Sequence, residues 1–597
     1  TAVGVNTLSA QNYATSTDSY NVAMGYSAGT AVTTGVQNTL IGGLAGDALT
    51  DADYNVAVGK ESLTAMTLGS RNVGVGTFTL MSANVTTATD TYNTAVGHHA
   101  GASVTTGTSN TLIGGLAGDA LTTAAANVAV GKSALSADTL GSASTAIGRG
   151  ALKVQNFTTA TNAYNTAVGA FAGEAVTTGA NNTLIGGLSG DALTTGAGNV
   201  SVGTSSLSAS QTGNNGTAVG YGALAATTTS DNTGIGYLAG QAVTTGIENT
   251  LIGSLAGDAL TDADFNVAIG VESLGSDTLG SKTVAIGVGA LNAQNFTTAT
   301  DTFNVAVGFH AGNDITTGDS NTLIGALAGD ALTVGNSNVV MGLNSLGSDT
   351  KGDRSVAIGM AALSAQNFTT TTDTYNTAVG FAAGAAITTG VHNTLIGGAT
   401  GDALTDADYN VSLGYATLTA DTLGSKSVAL GSFTLANQNF TTATDTFNIA
   451  IGYASGTLIG GLAGDALTDA DENVAVGTFA LGVDTLGSKS TAIGRGALAN
   501  QNFTTATDVY NVAVGFNAGA AIPTGSSNTL IGGAAGDALT TGTSNVVLGY
   551  AALSTDDVGN FSTAIGHGAL NAQNYATSTD SYNTAVGAKA GESVTTG

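Results

Sequence analysis

The chain has no cysteine, no tryptophan and one proline (Pro523), and only 9% of its 597 residues are charged. The absence of cysteine excludes disulfides, zinc–thiolate sites and thiol nucleophiles together. Low charge combined with 42% hydrophobic residues excludes an ordinary solvated disordered chain, which needs low hydrophobicity and high net charge. Positive charge is the scarcest kind: 12 Lys and Arg stand against 40 Asp and Glu, a net charge of −28. Nucleic acid and anionic membrane are themselves negative, so neither is an expected partner. The same charge favours solubility and repulsion between neighbouring filaments. No secretory signal or membrane-spanning apolar run is visible, and membrane insertion is not expected. The sequence opens inside a motif (Thr1-Ala2-Val3-Gly4) and stops inside another (Val594-Thr595-Thr596-Gly597), so it reads as a segment of a longer chain.

What is present is repetition. A five-residue word, x-(Thr/Val)-small-(Val/Ile)-Gly, begins at Asn21, Asn38, Asn55, Asn72, Asn93, Asn110, Asn127 and Ser144 and continues to Asn583, with 33 complete occurrences. Glycine closes every one, as at Gly25, Gly42, Gly59 and Gly76. An invariant closing glycine points to a backbone geometry that a Cβ would obstruct. Three steps of 17 residues are followed by one of 21, which makes a superrepeat of 72. The longer fourth step holds an insert such as Gln155-Asn156-Phe157-Thr158-Thr159-Ala160-Thr161.

Within a word the side chains alternate as a strand requires. In Asn93-Thr94-Ala95-Val96-Gly97, Thr94 and Val96 share one face and Ala95 the other. Two short strands and two turns fit in 17 residues, and a helix does not. The expected fold is therefore all-β: one continuous β-solenoid (β-roll or β-helix) over residues 1–597, of about 33 stacked rungs of 17–21 residues. At about 4.8 Å per rung the stack would extend roughly 160 Å. Stacking sets Asn above Asn, where the amides can bond up the stack, and shares one thin core of small apolar side chains among many rungs. Val and Ile of each word are assigned to that core, and the small position (Ala23, Leu40, Ala57, Gly74, Ala95, Leu112) to the outside. An apolar stripe of that length needs covering, and a parallel homotrimer would close it around an axis.

The words Asn93-Thr-Ala-Val-Gly, Ser144-Thr-Ala-Ile-Gly-Arg-Gly-Ala-Leu and Val176-Thr-Thr-Gly-Ala-Asn-Asn-Thr resemble the 17-residue repeat of bacteriophage tail-fibre and related fibre proteins that end in an endosialidase-type intramolecular chaperone. Ser355-Val-Ala-Ile-Gly359 is also similar to the head repeats of trimeric autotransporter adhesins. Both families are trimeric, elongated and surface-attached. The resemblance implies an extracellular fibre shaft, on a virion or a cell surface, whose contact with a host glycan or receptor is made by regions outside this segment. A bacterial surface adhesin or extracellular matrix filament is the alternative. An ice-binding solenoid is disfavoured, because no Thr-x-Thr ladder recurs in every rung.

The candidate sites are few. Asp51-Ala-Asp53-Tyr-Asn55 recurs as Asp262-Ala-Asp264-Phe-Asn266 and Asp406-Ala-Asp408-Tyr-Asn410. The spacing is that of the start of a calcium loop, but the following glycine and the distal bidentate glutamate are missing, which favours a solvated turn. Aromatic pairs Phe157/Tyr164, Phe296/Phe303, Phe368/Tyr375 and Phe440/Phe447 recur with the insert. Such pairs either bind glycan or, as is favoured here, pack the loop against the rod or a neighbour. The histidines (His98, His99, His310, His392, His567) fall out of register. No triad, carboxylate pair or phosphate loop is present, so neither an enzyme nor a cofactor is expected. The period fails mildly at Gly216–Asn232, a 16-residue step lacking the insert, and severely after Asn448, where the next word begins at Gly456. A break or rotated register is expected between Tyr453 and Gly456.

Overall fold

A computed structural model describes residues 1–452, 463–464 and 466–597. The protein is an all-β parallel β-solenoid, and no helix occurs among the described residues. The fold divides into two compact units, Thr1–Thr302 and Phe303–Gly597, built on one plan. Among the described residues, the three central residues of each word form a short strand. In the first unit, Thr94–Val96, Thr111–Ile113, Val128–Val130 and Thr145–Ile147 follow one another. Each pairs in parallel with the next, word position on word position, as in Ala95↔Leu112 and Ala129↔Ala146. The second unit repeats this with Val305–Val307, Thr322–Ile324, Val339–Met341 and Val356–Ile358. The 21-residue coils add a second short parallel ladder, Gly141–Ser142 on Thr161–Asn162 in one unit and Gly352–Asp353 on Thr372–Asp373 in the other.

The opening asparagine and closing glycine fix this register. The Asn110 backbone N–H donates to Asn93 Oδ1 at 3.0 Å, and its Nδ2 donates to the same oxygen at 3.1 Å and to the Ala124 carbonyl at 3.0 Å. Asn127 N–H in turn donates to Asn110 Oδ1 at 3.0 Å. Asn338 repeats the pattern in the second unit. The amides thus bond up the stack as expected, and each also satisfies backbone groups that are buried and would otherwise lack a partner. At the other end of the word, Gly114 has φ +138°, and a Cβ there would lie 2.5 Å from the Gly131 carbonyl oxygen of the next coil. Only glycine allows both that conformation and that approach.

The faces of the strand are the reverse of the sequence-based expectation. Ala23, Leu40, Ala57, Ala95 and Leu112 are fully buried. The flanking β-branched residues look outward: Ile113 and Ile147 are each 38% exposed. The small position is therefore the core and Val/Ile the outer face. The physical reason is the narrowness of the coil. The interior must also hold Ala100, Val104, Ala117, Leu121, Ala134 and Leu135 from the rest of each turn, and at interior packing density this leaves room mostly for Ala and Leu. It follows that Ala23, Leu40, Ala57 and Leu112 cannot face another subunit.

The sheet also keeps its register where the period fails. Thr217–Val219 pairs with Thr233–Ile235 across the 16-residue step. Ile449–Ile451 pairs with Val474–Val476 position for position, and Asn473 N–H donates to Asn448 Oδ1 across 25 residues of sequence. In-register pairing is thus restored by the word that opens at Asn473. The break proposed between Tyr453 and Gly456 lies outside the described residues.

Replacing Gly114 by Ala should cost at least about 2 kcal/mol, the strain of a disfavoured backbone region plus a contact with a carbonyl that cannot move away. Denaturant unfolding of the variant measures this, and a loss below about 0.5 kcal/mol would contradict the close-approach argument.

Candidate functional surfaces

The sequence-selected acids are committed to the coil that precedes them. Thr34 Oγ1 donates to Asp51 Oδ1 at 2.5 Å and Val36 N–H to Asp53 Oδ1 at 2.7 Å. The same pair of bonds recurs at Asp262 and Asp264 and at Asp406 and Asp408. Neighbouring carboxylates therefore serve different donors and do not converge. Among the described residues, no group of three or more His, Asp or Glu is placed to hold a metal ion.

The paired aromatics separate. Phe157, Phe296, Phe368 and Phe440 are buried, which bears out packing of the insert against the coil for that member. Tyr164, Phe303, Tyr375 and Phe447 are each about half exposed, with φ between +49° and +51°, at the corner just before the word. This corner column forms a stack in the second unit. Arg354 lies 5.7 Å from the Tyr375 ring, Tyr375 stacks on His392 at 5.1 Å and His392 on Tyr409 at 4.7 Å. Lys426 lies 5.2 Å from Phe447. Arg354 and Lys426 also pair with Asp373 and Asp445. Because the rings stack on one another along the column, they present edges to solvent rather than faces. The other histidines lie beside aromatic rings, as His99 does beside Phe78.

The outward sheet face consists of two columns, mainly Thr or Val at the second word position and mainly Val or Ile at the fourth. Ile113, Ile147, Ile185 and Ile235 in the first unit are each 37–39% exposed. No word places two threonines outward.

Sequence reasoning missed a buried polar clamp. Asp138, fully buried, accepts from Gly141 N–H at 2.9 Å, Phe157 N–H at 3.3 Å and Gln155 Nε2 at 2.6 Å. Gln155 Nε2 also donates to Ser144 Oγ, and its Oε1 accepts from Asn165 Nδ2 at 2.8 Å. Where serine replaces the ladder asparagine, the insert's glutamine takes over the missing bonds. Asp349–Gln366, Asp421–Gln438, Asp484–Gln501 and Asp556–Gln573 repeat the arrangement. Burial pushes the Asp421 carboxyl upward, opposed by donors from Gln438, Phe440 and Gly424. The first superrepeat fills the same positions with buried Met66, Ala83 and Val85, and the coil without an insert has Ser210 in place of the aspartate. That joint replacement was the signal available in the sequence.

A second set of acids is electrostatically costly. Burial pushes the carboxyls of Asp119, Asp191, Asp258, Asp330, Asp402 and Asp537 above the usual range. In five of these, all but Asp258, the buried Oδ1 has no hydrogen-bond partner among the described residues. Two surface pockets are also formed, one of about 210 Å³ around Arg149 and one of about 340 Å³ around Arg495. Comparison with known proteins finds no matching family model and no curated protein of significant similarity.

Two predictions test these clusters. Asp138→Met alone leaves Gln155 Nε2 and the Gly141 N–H without their acceptor and should cost about 2–4 kcal/mol. The combination Asp138→Met, Gln155→Ala, Phe157→Val copies the first superrepeat and should recover most of that loss. Unfolding free energies around the mutant cycle measure the coupling, and additive losses would contradict the clamp. The second concerns pH. A carboxyl raised in the folded state contributes stability that is complete below its unfolded pKa and is lost as pH rises through the folded value. Asp508, held low by its hydrogen bond from Lys489, acts in the opposite sense but is one exposed group against these six and Asp421. The thermal midpoint should therefore rise as pH falls from neutral toward about 4.5, just above the ordinary carboxyl range. A scanning-calorimetry series in which the midpoint falls over that interval would refute the assignment.

Proposed function

We propose that this chain is the structural shaft of an extended extracellular fibre, a phage tail fibre or similar appendage, that holds a recognition tip away from a virion or cell surface. The observation that most supports this is the uniformity of the stack. The same in-register word pairing recurs along the described residues of each unit, and the polar groups that the sequence marked as candidate ligands serve to join one coil to the next. Such a construction resists bending and separation, and its role is mechanical. We propose no catalytic activity, cofactor or resident metal.

The shaft is a parallel homotrimer in this reading. The apolar stripe that requires a partner is the outward Thr/Val and Val/Ile face, not the small-residue position. β-Branched residues on a flat sheet face form a continuous apolar surface larger than a monomer ordinarily exposes, and in-register copies of the chain match its period. The half-exposed aromatic corner supports a second reading, in which the repeats themselves contact neighbouring filaments in a surface adhesin or matrix.

Light scattering should give three times the 57.6 kDa chain mass for the folded protein. Ile113→Asp should lower that mass while the β-sheet circular-dichroism signal is retained, because it places a charge in the intersubunit face. Leu112→Asp buries the charge inside the coil and should reduce the β signal itself. A folded wild-type protein of single-chain mass would overturn the trimer.

A further inference from the structure

The scarcity of positive charge makes the positions of the cations informative. All 12 Lys and Arg residues are described, and eight of them stand in ion pairs: Lys60, Arg71, Lys153, Lys282, Arg354, Lys426, Lys489 and Lys589. Lys132, Arg149, Lys351 and Arg495 have no ion pair among the described residues. Two of these four, Lys132 and Arg149, line one pocket, of about 210 Å³, together with Ser133, Gly150, Lys153 and Phe171. Arg495 lines the other, at the equivalent place in the repeat, between Thr-Ala-Ile-Gly and Gly-Ala-Leu.

The pocket of the first unit is held by the sheet itself. Val130 pairs with Ile147. One glycine later in each coil come Lys132 and Arg149, with Gly150 N–H donating to the Lys132 carbonyl at 3.0 Å and Phe171 N–H to the Arg149 carbonyl at 2.9 Å. Two cations therefore occupy neighbouring coils at one strand spacing, where like charges repel. Lys153 reaches the same pocket and is balanced by Glu174 at 3.0 Å, so an excess of two positive charges remains. Arg149 is positioned by the Phe171 ring, whose centroid lies 5.1 Å from the guanidinium carbon, a placement that leaves the guanidinium fork free to donate. Gly150 lets the Phe171 ring close one side of the pocket, since a Cβ there would stand 2.9 Å from the ring.

We propose that this pocket binds a compact oxyanion of the sulfate or phosphate class. Arginine with a lysine and a hydroxyl nearby offers the charge-assisted donors that such a group requires. The volume is below the roughly 300–1,000 Å³ of sites for drug-sized ligands, which limits the ligand to the anionic group and at most the sugar ring carrying it. The net charge of −28 repels a long polyanion, which favours a singly placed group. The site is independent of the shaft reading.

The test is calorimetric titration of the full chain with sodium sulfate, sodium phosphate and glucose 6-sulfate at low ionic strength. Saturable binding is expected for the wild type. Arg149→Gln should weaken it about tenfold or more and Lys132→Gln several-fold, as removal of a charge-assisted donor does. Lys60→Gln, in the same column but already paired with Glu61, should change it less than about twofold. Tighter binding of the sugar sulfate than of inorganic sulfate would assign the group to a glycan, and equal binding would assign it to the free ion. Absence of saturable binding to all three probes, or equal affinity in wild type and Arg149→Gln with β signal intact, would overturn the proposal.

Discussion

In coil after coil of the described residues, the closing glycine of a word approaches the carbonyl of the glycine in the next coil so closely that no side chain fits between them, as at Gly114 and Gly131. Most of the structure depends on this approach. It brings consecutive words to strand distance, and at the other end of the word the asparagine amide spans the same gap and takes up the buried backbone N–H of its successor. Between these two fixed points the word can vary in composition without changing its path. The coil beyond the word tolerates still more: inserts, acids, histidines and aromatics change from one superrepeat to the next while the strands stay in register.

Repeat, strand and turn were legible in the sequence because each leaves a periodic mark. The invariant glycine announced a backbone constraint, and the recurrent asparagine announced a ladder. The inside and outside of the strand were not legible. Alternation separates Ala95 from Thr94 and Val96 but does not say which side is interior. The usual guide, that the larger apolar residue is buried, fails in a coil so narrow that alanine and leucine fill it. The Asp138–Gln155 clamp was hidden for a different reason. Its members are one coil apart, and a carboxylate and an amide in polar-looking text read as surface residues unless their joint replacement by Met66 and Ala83 is noticed.

The same geometry determines what the surface can offer. Polar groups near the corners are drawn into coil-to-coil bonding, as Asp51, Asp53 and their counterparts show. What remains outward is an apolar β-branched face, a column of ring edges and cations, and a few recesses where a glycine follows an exposed basic residue. A stack of nearly equivalent coils distributes its side chains along columns.

The preserved pairing of Ile449–Ile451 with Val474–Val476 across an irregular stretch of sequence has a consequence for how such a chain changes over time. Near-identical words in a gene invite slippage and unequal crossing-over, which delete or duplicate stretches with little regard for coil boundaries. In most folds such an event would displace every residue downstream. Here the word at Asn473 pairs in register with the word at Asn448, so an exchange of this kind leaves the coils on either side intact. Length thereby becomes a property that can drift or be selected almost independently of foldability.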